Sequence, residues 1–307
     1  MKLFPSRLFL IAIVLIIVNS LPLSSQTMES EYKEAAQLIK NSQYDKGVPM
    51  MRSLAEKGHS DAQCYYGWLF ENGRGVEMDY AKAFEWYRKS AEAGNVTAQC
   101  NLGLCYEYGI GVEKDFEKAA QWYMKSADGG SSRGQYKVGV IYAEGKNVKQ
   151  DYDKAALWMK KAAEKGRSDA QCYYGWLFEN GYGVEKDDVK AREMYLLAAQ
   201  GGLRNAQRNI ALMYYKGKGG PVDYGEAMKW FLSATDDPEY KYYFDVCRRI
   251  GSMYRDGEGV DVDHKTAFEW FLKAAEGGET YAQEEVGRMY MIGEGTTINI
   301  KKAIYWL

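Results

Sequence analysis

The chain has 307 residues, 46% hydrophobic and 27% charged, which is enough apolar material for a large folded core. An aromatic share of 14% beside only 5 prolines excludes a disordered chain. A net charge of −2 provides no electrostatic footprint for nucleic acid.

The first predicted element is an export signal over residues 1–25. Lys2 and Arg7 precede an unbroken apolar run from Leu8 to Val18, and Asn19, Ser20, Pro22 and Leu23-Ser24-Ser25-Gln26 follow. A basic start, a short apolar core and small residues form the pattern of a cleavable signal peptide, with cleavage expected near Ser25. The run is short of the roughly 20 residues a spanning helix needs. An uncleaved anchor is the alternative, and the membrane enters only through this segment. No Cys lies near the cleavage point, so lipid attachment there is not supported. Export places the protein where disulfides form, and the chain has five Cys: Cys64, Cys100, Cys105, Cys172 and Cys247. An odd number leaves at least one unpaired.

Residues 26–59 are read as a degenerate half-repeat or cap, and residues 60–307 as a repeat array. Residues 60–77 and 168–185 agree at seventeen of eighteen positions, with only Arg74 against Tyr182 different, at an offset of 108 residues. That offset is three periods of 36, and internal periods of this size signal a solenoid. Stepping by 36 from Gly67 meets Gly103, Gly139, Gly175 and Ala211. An insertion around Asp236-Asp237-Pro238 then shifts the anchor to Gly251, and Gly287 follows.

The other positions fall into columns. Gly stands six residues after every anchor, and again eight after except at Asn147. Asp stands twelve after except at Asn299, Ala sixteen after throughout, and Trp nineteen after except at Met194. Each unit therefore reads as helix, Gly turn, helix, Gly turn. In residues 96–130, Ala98, Leu102, Cys105 and Tyr106 form one apolar stripe, and Gly109 ends that helix. Asp115 caps the next helix, whose buried face carries Ala119, Trp122, Tyr123 and Ala127. Gly in mid-helix costs roughly 1 kcal/mol relative to Ala. Its recurrence at the anchor predicts a neighbouring helix too close for a Cβ.

Residues 98–130 carry Ala98, Leu102, Gly103, Tyr106, Gly109, Gly111, Val112, Asp115, Lys118, Ala119, Trp122, Lys125, Ala127 and Gly130. In these positions the array resembles the Sel1-like repeats, relatives of the tetratricopeptide repeats. The resemblance covers residues 60–307 in about seven units, the last incomplete. It implies an all-α fold, an α/α solenoid of stacked 36-residue helix-turn-helix units forming a curved superhelix. It also implies a scaffold rather than an enzyme. Residues 234–250 and Met194 depart from the pattern and put the packing of the fifth unit on the sixth in question. The sequence stops at Trp306-Leu307, midway through a second helix, which is read as truncation in preference to an end covered by a partner.

The search for chemistry finds little. His59 and His264 stand in different units with no nucleophile or acid at a useful spacing. The Cys columns alternate with apolar residues and read as small buried packing, not zinc ligands, and the regular Cys pairs of some Sel1-like proteins are absent. β-Lactam-directed activity has been associated with cysteine-rich relatives. Ser30-Glu31-Tyr32-Lys33 fits S-x-x-K, but Ser60-Asp61-Ala62 and Lys265-Thr266-Ala267 each fail their companion motif. The Gly-x-Gly turns follow helices and lack the dinucleotide spacing, so they read as interhelical turns. The Trp column reads as packing between units. No cofactor and no metal are expected.

What remains is the face shared by the first helices, expected to be concave. Two of its columns vary between units and lie three residues apart, on one helix face. They supply the candidate partner-binding residues Tyr65, Trp68, Asn101, Lys137, Tyr173, Trp176, Asn209 and Arg249. The resemblance implies Asn in the first column, so Tyr65 and Tyr173 are departures, and large aromatics are favoured interface anchors. Packing between first helices would use the same residues. Arg208, Arg248, Arg249, Glu284 and Glu285 make the face charged towards the C-terminus. The expected function is a noncatalytic, exported scaffold that binds a protein or peptide on this face. A cell-wall protein that binds or hydrolyses β-lactams or peptidoglycan is the alternative.

Overall fold

The computed structural model describes residues 23–307, and among these every regular element is a helix. The segment read as an export signal falls on residues 1–22, outside the described residues, apart from Leu23–Ser25, which open the first helix. No described helix is long and apolar enough to cross a membrane. The chain divides into two compact units, one reaching to Gly134 and one starting at Gln135.

The first unit contains α1 (Leu23–Lys40), α2 (Tyr44–Glu56), α3 (Ser60–Asn72), α4 (Tyr80–Glu92), α5 (Val96–Tyr108) and α6 (Phe116–Asp128). The helix α7 (Ser132–Glu144) begins at the boundary. The second unit continues with α8 (Tyr152–Glu164), α9 (Ser168–Asn180), α10 (Asp188–Gln200), α11 (Arg204–Lys216) and α12 (Tyr224–Ser233). It ends with α13 (Tyr243–Asp256), α14 (His264–Glu276), α15 (Thr280–Ile292) and α16 (Ile300–Trp306). Helices pack on their sequence neighbours, α3 on α4 within a repeat and α4 on α5 between repeats. Each unit is therefore an α/α solenoid, as the period predicts.

The helices begin and end where the column residues require. Asp79 and Asp115 accept the backbone N–H groups of Lys82 and Lys118 at 2.9 Å, and Asn299 does the same for Lys302 at 3.0 Å. These side chains satisfy one of the free donors at a helix start. At the other end, Gly109 takes φ 76° and its N–H returns to the Cys105 carbonyl at 2.8 Å. The Gly two residues further on has a second constraint. A Cβ on Gly183, at φ 64°, would lie 2.0 Å from the Tyr152 carbonyl oxygen of the preceding repeat. Only Gly fits both the left-handed turn and that approach. Asn147, the exception in this column, has φ 56°, a region Asn tolerates better than most residues.

The anchor glycines face the second helix of their own repeat. A Cβ on Gly103 would meet the Tyr123 ring at 2.6 Å, and one on Gly67 the Tyr87 ring at 3.0 Å. Tyr87, Tyr123, Met159, Tyr195, Phe231 and Phe271 occupy the position twenty after the anchor and are almost completely buried. Burying one such side chain is worth roughly 1.5–3 kcal/mol, which outweighs the roughly 1 kcal/mol cost of a mid-helix Gly. The Tyr hydroxyls remain paired: Tyr87 donates to Glu71 at 2.5 Å and Tyr195 to Glu179 at 3.0 Å. Buried Gln side chains tie successive repeats, with Gln63 donating to the Ala55 carbonyl at 3.1 Å and Gln99 to that of Ala91 at 3.3 Å.

The Trp column is half-buried rather than central. Trp86 packs against Tyr66 with ring centroids 5.3 Å apart, and Lys89 covers its outer face at 4.3 Å. Lys125 and Lys161 cover Trp122 and Trp158 at 4.0 and 4.2 Å in the same way. The departure at residues 234–250 is structural: α12 has 10 residues where its counterparts α4, α6, α8, α10 and α14 have 13, and it packs on α13 far less than other neighbours pack.

Candidate functional site

The two copies of the repeated stretch each build a cavity on the first-helix face. On α3, Asp61, Cys64, Tyr65 and Trp68 point to one side because their spacing is i, i+3, i+4, i+7. Asn95, Thr97 and Asn101 from the start of the next repeat, with Tyr32 from α1, complete a cavity of about 320 Å³. On α9, Asp169, Cys172, Tyr173 and Trp176 repeat the stripe. Leu203, Asn205, Arg208 and Asn209 answer from the next repeat, with Tyr136, Tyr240 and Tyr242 at the ends, around about 590 Å³.

The shared geometry is close. Tyr65 and Trp68 meet edge to face at 5.5 Å, and Tyr173 and Trp176 at 5.4 Å. The Asn101 amide lies 3.9 Å from the Cys64 sulfur, and the Asn209 amide lies 3.9 Å from that of Cys172. Burial pushes both thiols up to about 12, so they stay protonated and unreactive near neutral pH. All five cysteines are free. Burial likewise raises the Tyr32 and Tyr136 hydroxyls to about 12.

The cavities differ in their charges. Asp61 accepts from the Asn95 amide at 2.6 Å, while Asp169 is held by Arg167 at 2.7 Å. Arg208 is bound through two nitrogens to Asp245, at 3.0 and 2.8 Å, and rests on the Tyr242 ring at 4.7 Å. Arg248 and Arg249 share the same carboxylate, which they and Arg208 hold below the usual carboxylate range against the opposing effect of burial. Arg255 and Arg288 both reach Glu285, at 3.2 and 3.0 Å. Arg208, Arg248, Arg249 and Glu285 are therefore each paired within the protein, while Glu284 is exposed.

The structure thus gathers six of the eight candidate residues into two groups. Tyr65, Trp68 and Asn101 line the first cavity, and Tyr173, Trp176 and Asn209 line the second. Lys137 is half-buried on α7, and Arg249 lies on Asp245; neither lines either of these two cavities. The sequence reading missed the aspartates and took the Cys column as packing alone, although Asp61 and Cys64 complete a legible helical stripe. It also missed Tyr240 and Tyr242, because they belong to the insertion and no column contains them. The Tyr240 hydroxyl donates to Asn205 at 3.0 Å and closes one end of the second cavity.

Each histidine lies beside a carboxylate, His59 at 3.5 Å from Glu29 and His264 at 2.9 Å from Glu294. His59 uses Nδ1 to accept the Ala62 N–H at 3.3 Å and stacks on Tyr32 at 5.1 Å. Ser30 is exposed on α1, and Lys33 pairs with Glu29 at 3.1 Å. No group of three metal-ligating side chains occurs among the described residues.

The Sel1 repeat family model matches residues 60–95, 96–131, 132–166, 168–203, 204–237, 245–279 and 280–307. One similar solved structure is a protective antigen present in uropathogenic Escherichia coli strains displaying an SLR fold. It is 31% identical, with a TM-score of 0.80, over 92% of this chain and 62% of the antigen. This chain thus spans less than two thirds of the antigen's length. A Sel1 repeat protein from Oxalobacter formigenes is 28% identical, with a TM-score of 0.69, over 80% of this chain and 96% of its own. No curated protein matches the sequence.

Proposed function

This chain belongs to the Sel1 repeat family, whose members are typically noncatalytic protein-interaction scaffolds, and from that premise we propose that it is an exported scaffold binding a segment of another protein in two matched cavities. The observation that carries the reading is the repeated wall of Asp, Cys, Tyr, Trp and Asn, at Asp61 to Asn101 and again at Asp169 to Asn209. Rigid rings beside amide and carboxylate groups suit an apolar side chain flanked by peptide N–H and C=O groups. Both thiols are held protonated by burial, so neither cavity presents a cysteine nucleophile.

Co-purification from envelope and secreted fractions tests the reading. Tyr65→Ala with Trp68→Ala, and Tyr173→Ala with Trp176→Ala, are each expected to weaken partner recovery and together to abolish it. Full recovery by the fourfold variant, with its helical circular dichroism intact, would refute the site. Export rests on Lys2, Arg7 and the run Leu8–Val18. N-terminal sequencing of the protein from the envelope is expected to start near Gln26. A cytoplasmic protein that retains Met1 would overturn it.

A further inference from the structure

Trp68 borders a second hollow that the other copy lacks the residues to make. On the far side of the Tyr65–Trp68 pair, α1 and the turn after α3 enclose about 630 Å³. Tyr32, Tyr44, Tyr65 and Trp68 line it with rings, and Lys33, Lys40 and Arg74 line it with cations. No acid lines it, in a chain whose net charge is −2. Lys33 is held by Glu29 at 3.1 Å, outside the lining. Lys40 and Arg74 have no ion pair and no side-chain hydrogen bond within the described residues. By contrast, Arg167, Arg208, Arg248 and Arg249 of the second unit all reach carboxylates.

The counterpart of Arg74 is Tyr182, the one changed letter in the repeated stretch. Tyr182 stacks on Tyr152 at 4.7 Å and leans on Trp176 at 5.1 Å. Rings fill that side of the second copy, where the first copy leaves open space beside a guanidinium.

We propose that the first copy selects an acidic peptide segment, in which an Asp or Glu side chain reaches Lys40 and Arg74 while a neighbouring apolar residue lies against Trp68 and Tyr44. This deepens the scaffold reading above and rests on it. A peptide is favoured because the hollow sets aromatic rings beside unpaired cations and holds no acid, which matches a carboxylate with an apolar neighbour on one chain. On the other side of the Tyr65–Trp68 pair, Asp61 lines the first cavity and accepts from Asn95 through one oxygen. Arg and the aromatic rings also combine a planar charge with apolar area, which suits a carboxylate next to an apolar side chain. The second copy, with Tyr182, takes peptides without this charge preference.

The test is a random peptide array probed with the full chain. The wild type is expected to enrich peptides with Asp or Glu beside an aromatic or aliphatic residue. Lys40→Glu with Arg74→Glu is expected to weaken the acidic subset about tenfold, the scale of two partly exposed ion pairs reversed in sign. Arg74→Tyr, which installs the letter of the second copy, controls for folding and should remove the acid preference while leaving other peptides bound. Raised salt should weaken the acidic subset first. An acid preference that survives both variants overturns the inference while leaving the scaffold reading intact. Peptide binding unchanged by the fourfold aromatic variant overturns the scaffold reading itself. Charge-dependent binding to phosphatidylglycerol vesicles with no acid-enriched peptides would also overturn the proposal, in favour of a lipid surface.

Discussion

The two copies of the repeated stretch differ in one letter and in almost everything around it. Trp176 has Tyr182 against its ring at 5.1 Å, whereas Trp68 has Arg74 in that place and is 39% exposed. Asp61 answers to an asparagine and Asp169 to an arginine. His59 caps α3 through its ring nitrogen, while Arg167 makes no side-chain cap on α9. The same local sequence therefore makes the same helix and the same four-residue stripe, but neighbours decide exposure, charge and shape. A duplicated site becomes two sites because the repeats beside it were not duplicated with it.

The largest expected effect lies at the turn that seats each copy on the repeat before it. In the second copy, a Cβ on Gly183 would meet the Tyr152 carbonyl oxygen at 2.0 Å, a backbone atom that cannot step aside. In the first, the nearest atom to a Cβ on Gly75 would be the Tyr44 Cβ, at 2.6 Å, a close approach but a less severe one. Both glycines have positive φ, at 64° and 71°. Left-handed strain costs about 1–2 kcal/mol for any other residue, and a clash without relief adds about 1–3 kcal/mol. Gly183→Ala is expected to cost about 3–5 kcal/mol and Gly75→Ala about 2–3 kcal/mol. Urea unfolding monitored by circular dichroism reads both. Equal losses would mean that the two turns seat alike and that the comparison fails at the backbone.

A smaller effect sharpens the comparison at the changed letter. Tyr152 and Tyr182 stack with an interplanar angle of 14°. Aromatic pairs contribute about 0.5–1.5 kcal/mol beyond their burial. A double-mutant cycle of Tyr152→Ala and Tyr182→Ala should show coupling of about 1 kcal/mol. The same cycle on Tyr44 and Arg74, which share a hollow without a recorded ring contact, should show little. Coupling of equal size in both copies would make Arg74 a packing residue and remove the basis for a charged hollow.

The fold was legible because every repeat restates it. Asp115, Gly109 and Gly103 each answer to a single local need, a cap, a turn and a close approach, and period alone reveals them. The candidate site was legible only where it follows the period. Tyr65–Trp68 and Tyr173–Trp176 stood out as departures within columns. Tyr240 and Tyr242 belong to no column, and their place in the second cavity depends on how the insertion after α12 folds. The ion pairs of the charged C-terminal face were not legible for a related reason. Arg208 and Asp245 are 37 residues apart, and only the stacking of α11 on α13 across the insertion brings them to 2.8 Å. Trp86 was expected inside the core and lies half out of it, because the next residue, Tyr87, faces the anchor Gly67 instead.

The smallest expected effect is one in which the copies should agree. Asp79 caps α4 and Asp187 caps α10, each accepting the backbone N–H of a lysine three residues on, at 2.9 and 3.0 Å. Those backbone bonds, followed by the lysine side chains, hold both carboxylates below the usual range. A carboxylate whose folded value is depressed contributes stability above its unfolded value, near pH 3.9, and loses it as pH falls towards the folded value. The urea midpoint is therefore expected to be level between about pH 7 and 5 and to fall below about pH 4. Asn caps helices without titrating. Asp79→Asn and Asp187→Asn should each shorten the acid decline by the same modest amount, since both caps are exposed and screened. A clearly larger response from one copy would mean that even the helix caps, the most local feature of the repeat, take their strength from the repeats beside them.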